Sequence, residues 1–498
     1  MKSVLQENDG PTRIRPAMDS KSPLERDLSN AVKVISSHAQ QISRANVIDT
    51  HCHLDMKDFD VDREEVIERS KEAGFEALIT VGSDLAGTTK AVQLSEHYAM
   101  VYASVGIHPH DAKDFTEKVY SQLTNWSKKT KVVAIGETGL DYHYDHSPRE
   151  TQKDVFRRHL HLAEETRLPV IIHSREAKKD TLHIMQECGV GKGVLHCFSG
   201  DQDMAEKAMS MGFYLSLAGP VTFRKSLSLK EIARMIPDDY LLVETDAPYL
   251  SPEPVRGKRN EPAFMLNTLR HVAELRGISL EDLARITSLN AKRLFGIGVI
   301  SEKPQIAYQI RDSLYLNITN RCTNECSFCV KFRSEFVKGH RLRLEKEPTE
   351  VEIKEQIGDP SVFKEIVFCG YGEPLQRLDV VKNIARWIKE NNGWVRINTN
   401  GHANLIHKRN ILPELRGIVD SISISLDAQD KETYNEICKP IYRNAYEEVI
   451  RFIREAKEII PVVQATVVDL KGVDVKKCRE IAESLGVKFR VRKFDAVG

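Results

Sequence analysis

The chain has 498 residues, with 72 lysines and arginines against 72 aspartates and glutamates. It is too long for one hydrophobic core and too evenly charged to attract a polyanion by net charge alone. Hydrophobic residues at 41% and charged residues at 29% exclude a disordered or membrane-dominated chain. In chain order, the first thirty residues lack the apolar segment of a secretory signal. Ser22, Pro23 and Glu25 make a helix start, and Leu24, Leu28, Ala31, Val32, Ile35, Ala39 and Ile42 recur at helical spacing. Residues 1–45 therefore read as an extension with an amphipathic helix. Strands are expected at 47–53, 77–82, 101–109, 132–140, 169–174, 193–200, 213–219 and 241–249, with amphipathic helical stretches such as 63–74 and 158–168 between them. Eight βα steps over about 250 residues predict an α/β fold, a TIM (β/α)8 barrel assigned to 46–297. A linker at 298–311 leads to six more strands, at 314–319, 365–372, 394–401, 421–428, 462–468 and 487–494. These predict a partial (β/α)6 barrel or doubly wound sheet over 312–498. No apolar run reaches the roughly 18 residues of a membrane-spanning helix. An odd count of 9 cysteines, scattered except for one cluster, argues against a disulfide framework and for a reducing, cytoplasmic compartment.

The strand ends of the first barrel carry the chemistry. In VIDTHCHLD, the two-residue period puts His51 and His53 on one face and Cys52 on the other. Glu137, His173, His196 and Asp246 each stand at the tip of their own strand, where such barrels place their sites. Imidazole and carboxylate together suit zinc, manganese or similar cations, and one carboxylate can bridge two cations about 3.5–4 Å apart. The order THCHLD, GIHPH, IGETGLDYH, HSR, HCFSG, ETDAPYL, RGKRNEP resembles the TatD family of metal-dependent hydrolases in the amidohydrolase superfamily. That resemblance implies a TIM barrel with one or two divalent cations (zinc, manganese or magnesium) and hydrolysis of phosphodiesters in DNA. It makes His51, His53, Glu137, His173, His196 and Asp246 the ligands and Glu137 and Asp246 the catalytic pair, Asp246 orienting or deprotonating water. Some relatives cleave aminoacyl esters of tRNA, which is the alternative activity. Arg175 and Arg256 are expected to pair with phosphate oxygens, Tyr142 to stack on a base, and His108, with His110, to line the mouth.

NRCTNECSFC places Cys322, Cys326 and Cys329 within eight positions of the first loop of the second series. Structural zinc wants four protein ligands, yet Cys369, Cys438 and Cys478 are far away in sequence and none is indicated as the fourth. A zinc knuckle completed by a distant ligand is the competing reading. The loop, with GYGEP, INTNG and SISLDA at later strand ends, resembles the radical S-adenosylmethionine superfamily. The resemblance implies a 4Fe–4S cluster on the three cysteines, with S-adenosylmethionine on its open iron. It also implies cofactor contacts from Phe328, Gly370, Gly372, Glu373, Asn398, Ser425 and Asp427, and an electron donor such as flavodoxin or ferredoxin. DNA or tRNA is the expected substrate of the fusion; a redox- or iron-sensing, or tRNA-modifying, second module is the alternative.

Overall fold

The computed structural model describes residues 46–300 and 303–493; the amphipathic helix expected before residue 46 lies outside them. The first half contains β1 (Val47–Cys52), β2 (Phe75–Val81), β3 (Val101–Val105), β4 (Val132–Asp141), β5 (Val170–Arg175), β6 (Gly193–Leu195), β7 (Phe213–Leu217) and β8 (Leu241–Val243). They pair in parallel, in chain order, as one eight-stranded sheet. A Cys52–Ala247 bridge and two hydrogen bonds, His53 N–H to the Ala247 carbonyl (2.7 Å) and Asp246 N–H to the His51 carbonyl (2.9 Å), bring its edges together. The TIM barrel expected from the eight βα steps is what forms. All ten residues of β4 and all six of β1 are buried, as strands covered on both faces must be.

The two ends of the barrel differ in chemistry. Ile48, Ile79, Val133, Ile171, Val194 and Leu242 fill its interior and pack on Ala291, Leu294 and Phe295 from the helix Leu280–Phe295. That helix seals the end where the strands begin. The opposite end, where they finish, gathers the imidazoles and carboxylates.

The second half adds β9 (Ala307–Ile310), β10 (Ser313–Leu316), a small hairpin of β11 (Phe336–Val337) and β12 (His340–Arg341), then β13 (Glu365–Phe368), β14 (Val395–Thr399), β15 (Ser421–Ser425), β16 (Val462–Asp469) and β17 (Lys488–Lys493). Its sheet runs β17-β16-β15-β14-β13-β10-β9, with the six expected strands parallel and β9 antiparallel on the edge. β9 falls inside the stretch read as linker. Its turn to β10 is made by Arg311 in the left-handed region (φ 56°), where the sequence shows neither glycine nor asparagine to announce a hairpin.

The second half attaches to the closed end of the barrel. Lys338, between β11 and β12, reaches Asp238 just before β8 (3.1 Å), and its carbonyl accepts from Arg285 Nε (2.9 Å). Arg293 lies over the Phe336 ring at 4.6 Å, and Arg311 donates to the Gly277 carbonyl. No described helix is long and apolar enough to cross a membrane.

Candidate metal centre and cysteine loop

At the carboxyl ends of the barrel strands, the six residues expected as ligands converge, and His108 joins them. Glu137, at the middle of β4, divides its two oxygens between two groups. Its Oε2 lies 3.5 Å from His51 Nε2 and 3.9 Å from His53 Nε2. Asp246 Oδ1 completes this side, 3.7 Å from His51 Nε2 and 3.3 Å from His53 Nε2. Glu137 Oε1 lies 2.7 Å from His196 Nε2, 3.0 Å from His173 Nδ1 and 3.4 Å from His108 Nε2. Three overlapping sets of donor atoms, each within 4.8 Å of one another, can hold a cation: His51, His196 and Asp246; His51, His53 and Glu137; and His108, Glu137 and His173.

Outer partners aim these rings. His53 gives its Nδ1 proton to the Val81 carbonyl at 2.7 Å, because a carbonyl can only accept, and this turns its Nε2 to the centre. His173 turns Nε2 to Asp141 Oδ2 (3.1 Å), which also lies 3.1 Å from His110 Nε2. Glu244 lies 3.3 Å from His196 Nδ1. Asp141 and Glu244 were missed by the sequence reading. Glu244, two residues before Asp246 in VETD, had an available signal in its spacing. The buried His51 Nδ1 has no hydrogen-bond partner.

Charge follows the same division. Burial pushes the Glu137 carboxyl up, but the surrounding imidazoles, His196 foremost and His173 with it, outweigh it and hold it well below the usual range. Burial also drives His108 well below the ordinary imidazole value; its Nδ1 accepts from the His110 amide (3.1 Å), which puts the proton of the neutral ring on Nε2, toward Glu137. Burial presses His53 and His196 down, but Asp246 raises the first to about 9 and Glu137 raises the second well above its ordinary value; buried carboxylates that hold imidazoles cationic fit a divalent cation that displaces those protons.

The strand carrying Glu137 depends on glycine. Gly139 sits at φ 136°, and a Cβ there would come within 2.0 Å of the His173 carbonyl oxygen. Gly139→Ala is expected to lower stability by about 1–3 kcal/mol and to shift His173, read as an earlier thermal melt with weakened metal retention.

Around the mouth, the placements differ from those expected. The Tyr142 hydroxyl is turned away to Asp180 (2.6 Å) and its ring lies under Arg149 (4.3 Å), so it offers no face at the mouth. Tyr144 takes that position: it is 50% exposed, stacked on His146 at 5.5 Å and edge-on to His110 at 5.4 Å. Arg175 lies 4.8 Å from its ring centre. Arg256 lies over Phe223 (4.1 Å) and 3.7 Å from Glu253. Tyr249, not singled out from sequence, sets its half-exposed ring 6.3 Å from that of His53. Tyr144→Ala is expected to raise KM for single-stranded DNA about tenfold, while hydrolysis of a base-free phosphodiester such as bis(p-nitrophenyl) phosphate stays unchanged.

In the second half, the cysteine loop follows β10 and is pinned from two directions. The Glu373 amide donates to the Arg321 carbonyl (2.7 Å), laying the GYGEP loop against it. There Cβ atoms on Gly370 and Gly372 would come within 2.3 Å of Asn317 Oδ1 and 2.4 Å of the Arg321 carbonyl oxygen, so only glycine allows this approach. The Glu373 carboxylate accepts from the Asn400 amide (2.7 Å), Thr399 Oγ1 (2.9 Å) and the Leu375 amide (3.0 Å). It clamps the loops after β13 and β14 together rather than opening toward a cofactor.

Asn398 accepts from Arg396 (2.9 Å), whereas Asn400, not expected, reaches Cys322 Sγ (3.8 Å) and Thr323 (2.8 Å). Phe328 packs on the second core. Asp427, only 4% exposed and bonded to Ser425, has an oxygen without a hydrogen bond that lies 3.8 Å from Arg492 Nη2. Three half-buried thiols and a glycine cradle beside them fit a cluster with an amino-acid-bearing cofactor. Cys438, far in sequence, is brought against Cys326 in the same packed cluster.

The family model for TatD related DNase matches residues 48–296, and that for the radical SAM superfamily matches residues 316–485. YabD of Bacillus subtilis, named an uncharacterized metal-dependent hydrolase, is 48% identical over 255 residues, covering 51% of this chain and all of that protein. A 3′-5′ ssDNA/RNA exonuclease TatD of Citrobacter rodentium is 34% identical over 263 residues, covering 51% of this chain and all of that protein. The crystal structure of YjjV, a TatD homologue from Escherichia coli, is 29% identical and covers 51% of this chain and 99% of that one, with a TM-score of 0.49. The chain therefore belongs to the TatD related DNase family, as a metal-dependent hydrolase domain joined to a radical SAM domain.

Proposed function

We propose that domain 46–297 hydrolyses phosphodiester bonds of single-stranded nucleic acid with one or two divalent cations held by His51, His53, Glu137, His173, His196 and Asp246. The observation that carries this reading is the division of the Glu137 oxygens between two sets of imidazoles. Bound zinc, manganese or magnesium supplies Lewis-acid activation of water and of a phosphoryl oxygen. Asp246, with its side chain 14% exposed beside His53, orients that water and takes its proton. Glu137 anchors both halves of the centre, and Val81 and Asp141 keep His53 and His173 in the tautomers that face it. Arg175 and Tyr144 hold the strand at a phosphate and a base. The exonuclease name of one relative supports a nucleic-acid substrate.

Domain 312–498 reads as the holder of a 4Fe–4S cluster on Cys322, Cys326 and Cys329, with S-adenosylmethionine beside it. Together, and with an electron from a flavodoxin- or ferredoxin-like donor, they supply a 5′-deoxyadenosyl radical. The glycine cradle would admit the methionine end, Phe328 would border the adenine, and Ser425 and Asp427 would offer acceptors. The protein is assigned to the cytoplasm, where reductants keep the thiols free. Incubation with 3′-labelled single-stranded DNA and each metal, beside His51→Ala, tests the first domain; equal cleavage by the variant removes the reading. Anaerobic reconstitution with S-adenosylmethionine and dithionite tests the second, and it fails if no 5′-deoxyadenosine forms.

A further inference from the structure

Cys438 ends the helix Lys431–Cys438 and is 0% exposed. The chain that follows runs back along the cysteine loop. Asn324 bridges Pro440 in antiparallel register, the Ile441 amide donates to the Thr323 carbonyl (3.0 Å), and the Glu325 amide to the Lys439 carbonyl (3.3 Å). Further along, the Ser327 amide donates to the Ile437 carbonyl (2.8 Å), and the Glu325 amide also donates to that of Cys438 (3.0 Å). The Glu325 and Ser327 amides thus flank Cys326 and tie it to the last turn of that helix, where Cys438 sits. Both side chains pack in the same cluster, and the Cys326 thiol, with burial, pushes the Cys438 thiol up from its ordinary value.

We propose that Cys326 and Cys438 close a disulfide when a disulfide oxidant such as oxidised glutathione meets the cluster-free loop, and that this bond blocks cluster loading until it is reduced. Its second half rests on the cluster reading above; the disulfide itself does not. The backbone clamp is made of main-chain groups, so it holds the pair together whether or not a cluster is bound. Cys326, half-buried, is the thiol that an oxidant reaches first, and Cys438 stands where it can resolve the product. With oxidised glutathione, Cys326 Sγ bonds to one glutathione sulfur and the other leaves as a thiolate. Cys438 Sγ then displaces the bound glutathione. The two cysteines lose two electrons and two protons, and one glutathione disulfide becomes two thiols.

The test uses the full chain, stripped of metal by chelator, incubated with oxidised glutathione and mapped by mass spectrometry without reduction. The expected product is one linked pair, Cys326 to Cys438, two hydrogens lighter than the free peptides. It is absent from Cys438→Ala, where glutathione stays on Cys326. Links confined to Cys322, Cys326 and Cys329 in the wild-type chain overturn the proposal, and this holds even if the variant fails to fold. Oxidised wild-type chain is expected to take up no iron and sulfide until dithiothreitol is added; equal uptake before and after overturns the block on loading. A reduced chain that takes up no iron overturns the cluster reading instead, and the peptide map still decides the disulfide.

Discussion

Replacing Glu137 with alanine is expected to cut single-stranded DNA hydrolysis by about a thousandfold, close to 4 kcal/mol of transition-state stabilisation. No other described carboxylate faces His51 and His53 with one oxygen and His173, His196 and His108 with the other. Its loss leaves both groups of imidazoles without the negative charge that holds a cation between them. Metal content of the purified variant should therefore fall together with activity. Asp246→Asn should behave differently, keeping most of the metal while losing turnover, because Asp246 borders the opening and its role is toward water. A Glu137→Ala variant that melts normally, retains full metal and cleaves at the wild-type rate would leave the shared-carboxylate centre without support. Dialysis against a chelator should abolish cleavage by the wild-type chain, and manganese or zinc should restore it.

The second large effect concerns independence. Cys322→Ala is expected to reduce 5′-deoxyadenosine formation to background while leaving DNA hydrolysis within about twofold of wild type, the spread expected of sites that share no contacts. The reason lies in where the second half docks. Lys338 meets Asp238 and Arg285, and Phe336 meets Arg293, all at the end of the barrel sealed by Leu294 and Phe295. The metal centre opens at the other end, so the packed aliphatic interior of the barrel stands between it and the docked domain. A substrate passed directly between the two would have to go around the barrel. If Cys322→Ala also removes nuclease activity without loss of folding, or if each activity depends on turnover at the other, this independence is wrong.

The sequence alone determined the number and order of the parallel strands and the centres to which they lead. Histidine and carboxylate at successive strand ends, and cysteines in one short loop, are fixed to their places by local spacing and by the parallel βα step. His51, His53, Glu137, His173, His196 and Asp246 thus met as expected. Only tertiary structure decided matters that depend on how a loop turns or which distant segments touch. In DYHY, both tyrosines are equally aromatic. Asp141 Oδ1 accepts from the His143 (3.0 Å) and Tyr144 (2.9 Å) amides, and this turn sends Tyr142 to Asp180 while lifting Tyr144 toward the mouth. Glu373 sits in a cofactor-like motif but spends its oxygens holding two loops together, a demand visible only once Thr399 and Asn400 are folded beside it. The edge strand β9 and the docking end of the barrel are of the same kind. So is Cys438, whose meeting with Cys326 comes from backbone pairing between segments more than a hundred residues apart, which no spacing rule along the chain records.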